Sequence, residues 1–172
     1  MTQAQERKTD LILEEIRKRN SRRSVVDVEE EKIKIVAFSQ GGYDFAFHGS
    51  DIKEILNRSD ITYVPGTPEF ILGVINVRGD IESVIDILKL FGLDPAQAGT
   101  GRLIALAGKD GMRSGILMDM VEDVVDIPAN SIRPPLSTLN GRIREVVSGE
   151  VICNGKSFIL LDTGKLFSCI TV

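Results

Sequence analysis

Apolar and polar positions change period several times along the chain, most sharply between Ile71 and Gly92. Ile71, Leu72, Val74, Ile75 and Val77 form a largely β-branched run of strand length, and Ile81, Val84 and Ile85 resume it after Gly79 and Asp80, which supply turn chemistry. This predicts a hairpin with Arg78 directly before its turn. Asp86 then precedes Ile87, Leu88, Leu90 and Phe91 at helical spacing, with Gly92 where a helix would stop. Upstream, Ile33, Ile35 and Ala37 alternate with Lys34, Val36 and Phe38 before Gly41-Gly42 turns the chain into Tyr43 to Phe47, a second hairpin. Ser50 or Asp51 is placed to cap a brief helical turn through Ile52, Ile55 and Leu56. Ile61 to Val64 reads as a short strand, and Pro65 to Pro68 punctuates the chain.

The second half repeats this order. Aligning Gly111 with Gly42 lays Arg102 to Leu117 over the first hairpin and sets Val121, Val124 and Val125 on Ile52, Ile55 and Leu56. Aligning Asp162 with Asp86 puts Gly149 on Gly73, Gly155 on Gly79 and Phe167 on Phe91 without a gap. The two alignments differ in offset, so the second copy has extra residues within Asp126 to Val147. Two copies of hairpin, connection, strand, glycine turn, strand and helix predict a mainly β fold. Its form is two pseudo-symmetric, five-stranded, small antiparallel β-barrel subdomains packed together, with short helices and an N-terminal helix. The expected boundaries are residues 1–30 for a charged extension and 31–172 for the body, with subdomain one near 31–92, subdomain two near 100–167 and crossing of strands at the boundary left open. A barrel of about sixty residues buries too little to stand comfortably alone, so the pair should share a junction with a groove.

Composition excludes several function classes. The formal net charge is −4 over 172 residues, which disfavours broad nucleic-acid binding, and no apolar run approaches the roughly 18 to 20 residues of a membrane-spanning helix. A cytoplasmic protein without direct membrane insertion is expected. Through Arg23 the chain carries seven basic and four acidic side chains, so the extension differs in charge from the body; Leu11, Ile12, Leu13 and Ile16 line one face of a short helix there, with Asp10 placed to cap it. Cys153 and Cys169 lack metal-ligand spacing and read as reduced structural residues, and His48 reads as an ordinary strand-end histidine. Asp86 and Asp162 each precede a helix start, where a carboxylate satisfies free backbone amides, so they read as caps rather than as a catalytic pair. No phosphate-binding or dinucleotide motif is present, and no acid, base and nucleophile set converges, so neither an enzyme nor a cofactor or metal site is expected.

Arg78 stands apart as a guanidinium among apolar strands, and Glu54 is its nearest partner by topology. Such a pair either pins two elements together or borders the groove and presents Arg78 to a partner. Gly73 is open in the same way, since a glycine within a strand permits close backbone contact or leaves room for an outside group.

The run Pro68 to Gly79, PEFILGVINVRG, followed by Val84-Ile85-Asp86 and Phe91-Gly92, resembles the signature of CheW-type chemotaxis coupling proteins, and Gly149 to Phe167 resembles that family's closing strands. The resemblance spans roughly Glu31 to Phe167; Ser83 stands where the family often has proline. It implies a non-enzymatic adaptor that bridges the cytoplasmic tips of chemoreceptors to the regulatory domain of the histidine kinase CheA, with recruitment to membrane-associated arrays and self-association there. Carried over by position, the receptor contacts fall on Ile52, Gly73 and Arg78, and the supporting salt bridge on Glu54. A coupling protein of a non-flagellar chemosensory pathway and, from another class, a small-barrel nucleic-acid binder using Arg17 to Arg23 are the alternatives.

Overall fold

A computed structural model describes residues 13–15, 17 and 30–171. Contacts divide the chain into two units, Met1–Glu31 and Lys32–Val172. Within the first, residues 13–15 and 17 are helical, with Leu13 exposed; Asp10, Leu11, Ile12 and Ile16 lie outside the described residues.

The second unit has ten strands: β1 (Lys32–Gln40), β2 (Tyr43–His48), β3 (Ile52–Asn57), β4 (Ile71–Val77), β5 (Asp80–Ile85), β6 (Leu103–Lys109), β7 (Met112–Met118), β8 (Met120–Pro128), β9 (Val147–Cys153) and β10 (Lys156–Leu161). Its short helices are α1 (Ile87–Phe91), α2 (Gly141–Val146) and α3 (Thr163–Ile170). The order of opening hairpin, connection, closing hairpin and helix read from the sequence is present in both copies, and α2 lies in the extra stretch of the second copy. The aspartate caps are also as expected: Asp86 accepts hydrogen bonds from the amides of Leu88 and Lys89, Asp162 accepts one from Lys165, and Gly92 ends α1 in the left-handed conformation at φ 67°.

The strands form two five-stranded sheets, ordered β8-β1-β2-β10-β9 and β3-β6-β7-β5-β4. Each sheet therefore draws on both copies: β3, β4 and β5 leave their own first hairpin and join the hairpin of the second copy. The expected pairing is not wholly antiparallel either. β10 runs parallel to β2, and β5 runs parallel to β7, because each copy's closing hairpin docks on the other copy's opening hairpin. Each sheet is closed by one bridge from the segment that follows its edge strand. Thr62, after β3, exchanges backbone hydrogen bonds with Val74 on β4, and Arg133, after β8, does so with Glu150 on β9. The stretch Ile61 to Val64 is thus a single bridge and not a full strand.

The helical turn expected through Ile52, Ile55 and Leu56 is a strand instead. A 3-10 turn occupies Gly49–Asp51, and β3 alternates half-buried Ile52, Glu54 and Leu56 with exposed Lys53, Ile55 and Asn57. Pairing with β6 outweighs an apolar spacing that fits a helix and a strand almost equally well in so short a run.

Three apolar cores result. Ile35, Ala37, Val151 and Leu160 fill one sheet and Ile75, Val84, Ile104 and Leu117 the other, while the largest core lies between the sheets, where Phe38, Phe45 and Phe47 meet Ile85, Ile116 and Met118. Phe38 and Phe47 stack with ring centres 5.4 Å apart. Each such ring, fully buried, contributes about 1.5–3 kcal/mol, which is why neither sheet is left exposed on that face.

Candidate functional site

Two-residue turns with left-handed φ at both positions join β1 to β2, β4 to β5, β6 to β7 and β9 to β10. The pairs are Gly41-Gly42 (56°, 87°), Arg78-Gly79 (53°, 94°), Asp110-Gly111 (50°, 79°) and Asn154-Gly155 (50°, 76°). Glycine, aspartate and asparagine are the residues such turns favour, so Arg78 is the odd member. The turn consists of Arg78 and Gly79, and Asp80 already pairs with Val77 as the first residue of β5; Arg78 is in the turn and not before it. The Asn76 side chain folds over the turn and accepts the Gly79 amide at 2.8 Å.

The Arg78 Nη2 donates to Glu54 Oε1 at 2.7 Å, with the arginine side chain 78% exposed and the glutamate 28%. Glu54 lies on β3, one edge of the sheet, and Arg78 extends from the β4 edge, so the pair spans the gap at the sheet's mouth. Elsewhere around this sheet Arg113 meets the buried Glu82 at 2.6 Å, and Lys109 meets the buried Asp51 at 3.2 Å. Hydrogen bonding and the charge of Asp51 hold the Lys109 ammonium above its usual pKa.

Ile52 and Gly73 flank the pair differently. Ile52 packs its side chain on the core between the sheets. Gly73 is buried at φ 144°, and a Cβ there would fall well inside contact distance of the Thr62 carbonyl oxygen and 2.8 Å from Ile61 Cγ2. Gly149, its counterpart, stands in the same relation to Arg133 and Ile132, both at 2.6 Å. In both copies the glycine admits the segment that closes the sheet.

A groove was expected beside Arg78 at the junction of the two halves. One cavity is lined by Gln40, Arg58, Asp86 and Asp119 and another by Asn57, Gln97, Leu103 and Met120, and none of Ile52, Glu54, Gly73 and Arg78 lines either. The connecting segment Leu93 to Arg102 instead straps the β1–β2 turn: the amides of Ala96 and Gln97 donate to the Gly41 carbonyl, and the Tyr43 hydroxyl donates to the Asp94 carbonyl. Asp119 anchors the strap by accepting the amides of Gly41 and Gly101, each at 2.6 Å, a role with no signal in the sequence.

Cys153 and Cys169 are free thiols, and burial pushes both above the usual thiol pKa. Half-buried His48 ends β2. Among the described residues no three His, Cys, Asp or Glu side chains cluster as metal ligands, and no helix is long and apolar enough to cross a membrane.

The CheW-like domain family matches residues 34–170. The chemotaxis protein CheW of Thermotoga maritima is 30% identical over 83% of this chain and 92% of its own length, and the probable chemotaxis protein CheW of Rhizobium etli is 27% identical over 78% and 87%. Among solved structures, the scaffolding protein TtCheW of Thermoanaerobacter tengcongensis superposes with a TM-score of 0.68 at 32% identity, covering 77% of this chain and 86% of that one.

Proposed function

The chain belongs to the CheW-like domain family, and on that premise we propose that it is a chemotaxis coupling adaptor joining chemoreceptor tips to the regulatory domain of a CheA-type histidine kinase. It acts by binding and performs no chemistry. Recruitment to membrane-associated receptor arrays, and contacts between copies there, follow from the same reading.

The observation that carries the receptor site is the cost of Arg78. A residue other than glycine, asparagine or aspartate in the left-handed region costs about 1–2 kcal/mol, and an exposed ion pair contributes about 0.2–1 kcal/mol. The pair therefore does not repay the strain by stability alone, which supports a role for Arg78 in contact with a partner. Glu54 fixes the guanidinium at the mouth, so that a carboxylate on the receptor tip meets a preoriented fork of donors. Ile52 and Gly73 shape the sheet beneath it. Individually weak contacts suit an array, because several engaged at once give avidity.

Co-sedimentation of receptor cytoplasmic fragments and kinase with wild type and Arg78→Glu tests this. The variant should lose on the order of 2 kcal/mol of receptor affinity, or about thirtyfold, with its melting temperature nearly unchanged. Wild-type binding by a folded Arg78→Glu protein would remove Arg78 from the site.

A further inference from the structure

At one position of the repeat the second copy supplies a cation and the first does not. Lys109 ends β6 and corresponds to Gln40 at the end of β1, just as Asp162 corresponds to Asp86. In the second copy the Lys109 ammonium sits on Asp51 at 3.2 Å, and the charge of Asp162 adds to the pull on it. In the first copy the side chain ends in a neutral amide. Gln40 Nε2 donates to Asp86 Oδ1 at 2.7 Å, so the amide cannot be turned over without setting Oε1 against that carboxylate. Among the described residues Oε1 has no partner, although Gln40 is only 4% exposed. A buried acceptor left without a donor is costly, so a donor belongs there.

Gln40 and Asp86 both line a cavity of about 220 Å³, together with Asp119, Arg58, Leu88 and Leu117. The three hydrogen bonds that Asp86 accepts, from Gln40, Leu88 and Lys89, all end on Oδ1, which leaves Oδ2 to another donor. Asp119 engages both oxygens with the amides of Gly41 and Gly101 and keeps its charge. Arg58 is exposed, and its Nη1 donates to the Gly101 carbonyl at 3.4 Å. Two carboxylates against one guanidinium leave the lining with an excess of negative charge, and Leu88 and Leu117 give it an apolar part. The volume is below the roughly 300–1,000 Å³ of sites for drug-sized molecules, which fits a ligand of few heavy atoms.

We propose that this cavity binds a small primary amine, whose ammonium takes in the first copy the part that Lys109 plays in the second. Its N–H groups donate to Gln40 Oε1 and Asp86 Oδ2, and a short alkyl stem lies against Leu88 and Leu117. The site is separate from the Arg78–Glu54 pair, neither member of which lines the cavity.

The test titrates ethylammonium chloride into the full chain and follows the backbone amide NMR signals of Gly41, Leu88 and Gly101, with tetramethylammonium chloride as a cation that carries no N–H donor. Ethylammonium should shift these signals saturably with millimolar affinity, and tetramethylammonium should bind at least tenfold more weakly. Gln40→Lys, which brings its own ammonium, should weaken ethylammonium binding at least tenfold while melting no lower than wild type. Gln40→Met removes the acceptor and keeps the bulk; it should weaken binding to a similar degree, and it decides the matter if the lysine variant does not fold. Equal shifts from the two cations would reduce the effect to diffuse charge, and unchanged binding by folded Gln40→Met would take the ammonium off Oε1; either result overturns the proposal. So does a lack of saturable binding up to about 50 mM, which would mean that water alone serves Gln40.

Discussion

Asn154 closes the mouth of one sheet by donating from Nδ2 to Asp123 Oδ2 at 3.0 Å, and Arg78 closes the other by donating to Glu54 at 2.7 Å. The two links occupy corresponding positions of the repeat and differ in chemistry. Nearby, Lys156 meets Asp44 at 2.9 Å in one copy where Arg113 lies 3.9 Å from Asp80 in the other, the same contact with its charges exchanged. Closing a sheet needs a donor at the turn and an acceptor on the opposite edge, and a neutral amide in an unstrained left-handed turn meets that need. A guanidinium there gives up turn stability and gains an exposed, permanently charged fork. The difference separates what the fold requires at this position from what the proposed receptor contact would add.

Sheet closure itself offers the largest test. Gly73→Ala should destabilise by about 3 kcal/mol and Gly149→Ala by about 2 kcal/mol in chemical denaturation, since both Cβ atoms collide with the closing segment but only Gly73 also has a left-handed φ. The reverse ranking would mean that the closing segments yield differently from what their geometry implies. Arg78→Asn, which gives the second mouth the chemistry of the first, should reduce receptor affinity at least tenfold. It should also raise stability by about 0.5–1 kcal/mol through relief of the turn. A fall in stability would show that the ion pair outweighs the strain. Asn154→Arg should form an ion pair with Asp123 yet lower stability by about 1 kcal/mol in chemical denaturation.

The smallest effect concerns alkaline pH. Lys109 at one mouth and Lys156 at the other are held above their usual pKa by hydrogen bonds to Asp51 and Asp44 respectively. A raised folded-state pKa contributes stability that is whole below the unfolded value near 10.5 and disappears as pH climbs through the folded value. Melting curves from pH 8 to about 11.5 should decline more steeply for wild type than for Lys109→Met or Lys156→Met. Both lysines are exposed, so high salt should shrink the difference.

The sequence by itself determined the local pieces. Period-two apolar runs, glycine turns and capping aspartates specify strands, hairpins and helix starts through interactions among residues a few positions apart, and the duplication was legible because both copies keep those signals in register. The Arg78–Glu54 pair was also legible, since a lone arginine in an apolar hairpin needs an acceptor and few are near. Ile52, Ile55 and Leu56 misled because a six-residue run has too few turns to separate a helical from a strand period, and pairing with β6 settled it. Only the tertiary structure decided which hairpin each strand joins, that β2 and β5 take parallel neighbours, and that the segment Leu93 to Arg102 straps the β1–β2 turn over Tyr43. Those choices depend on burying the phenylalanine face of one sheet against the other, a gain spread over residues far apart in the chain and written in no single stretch of it.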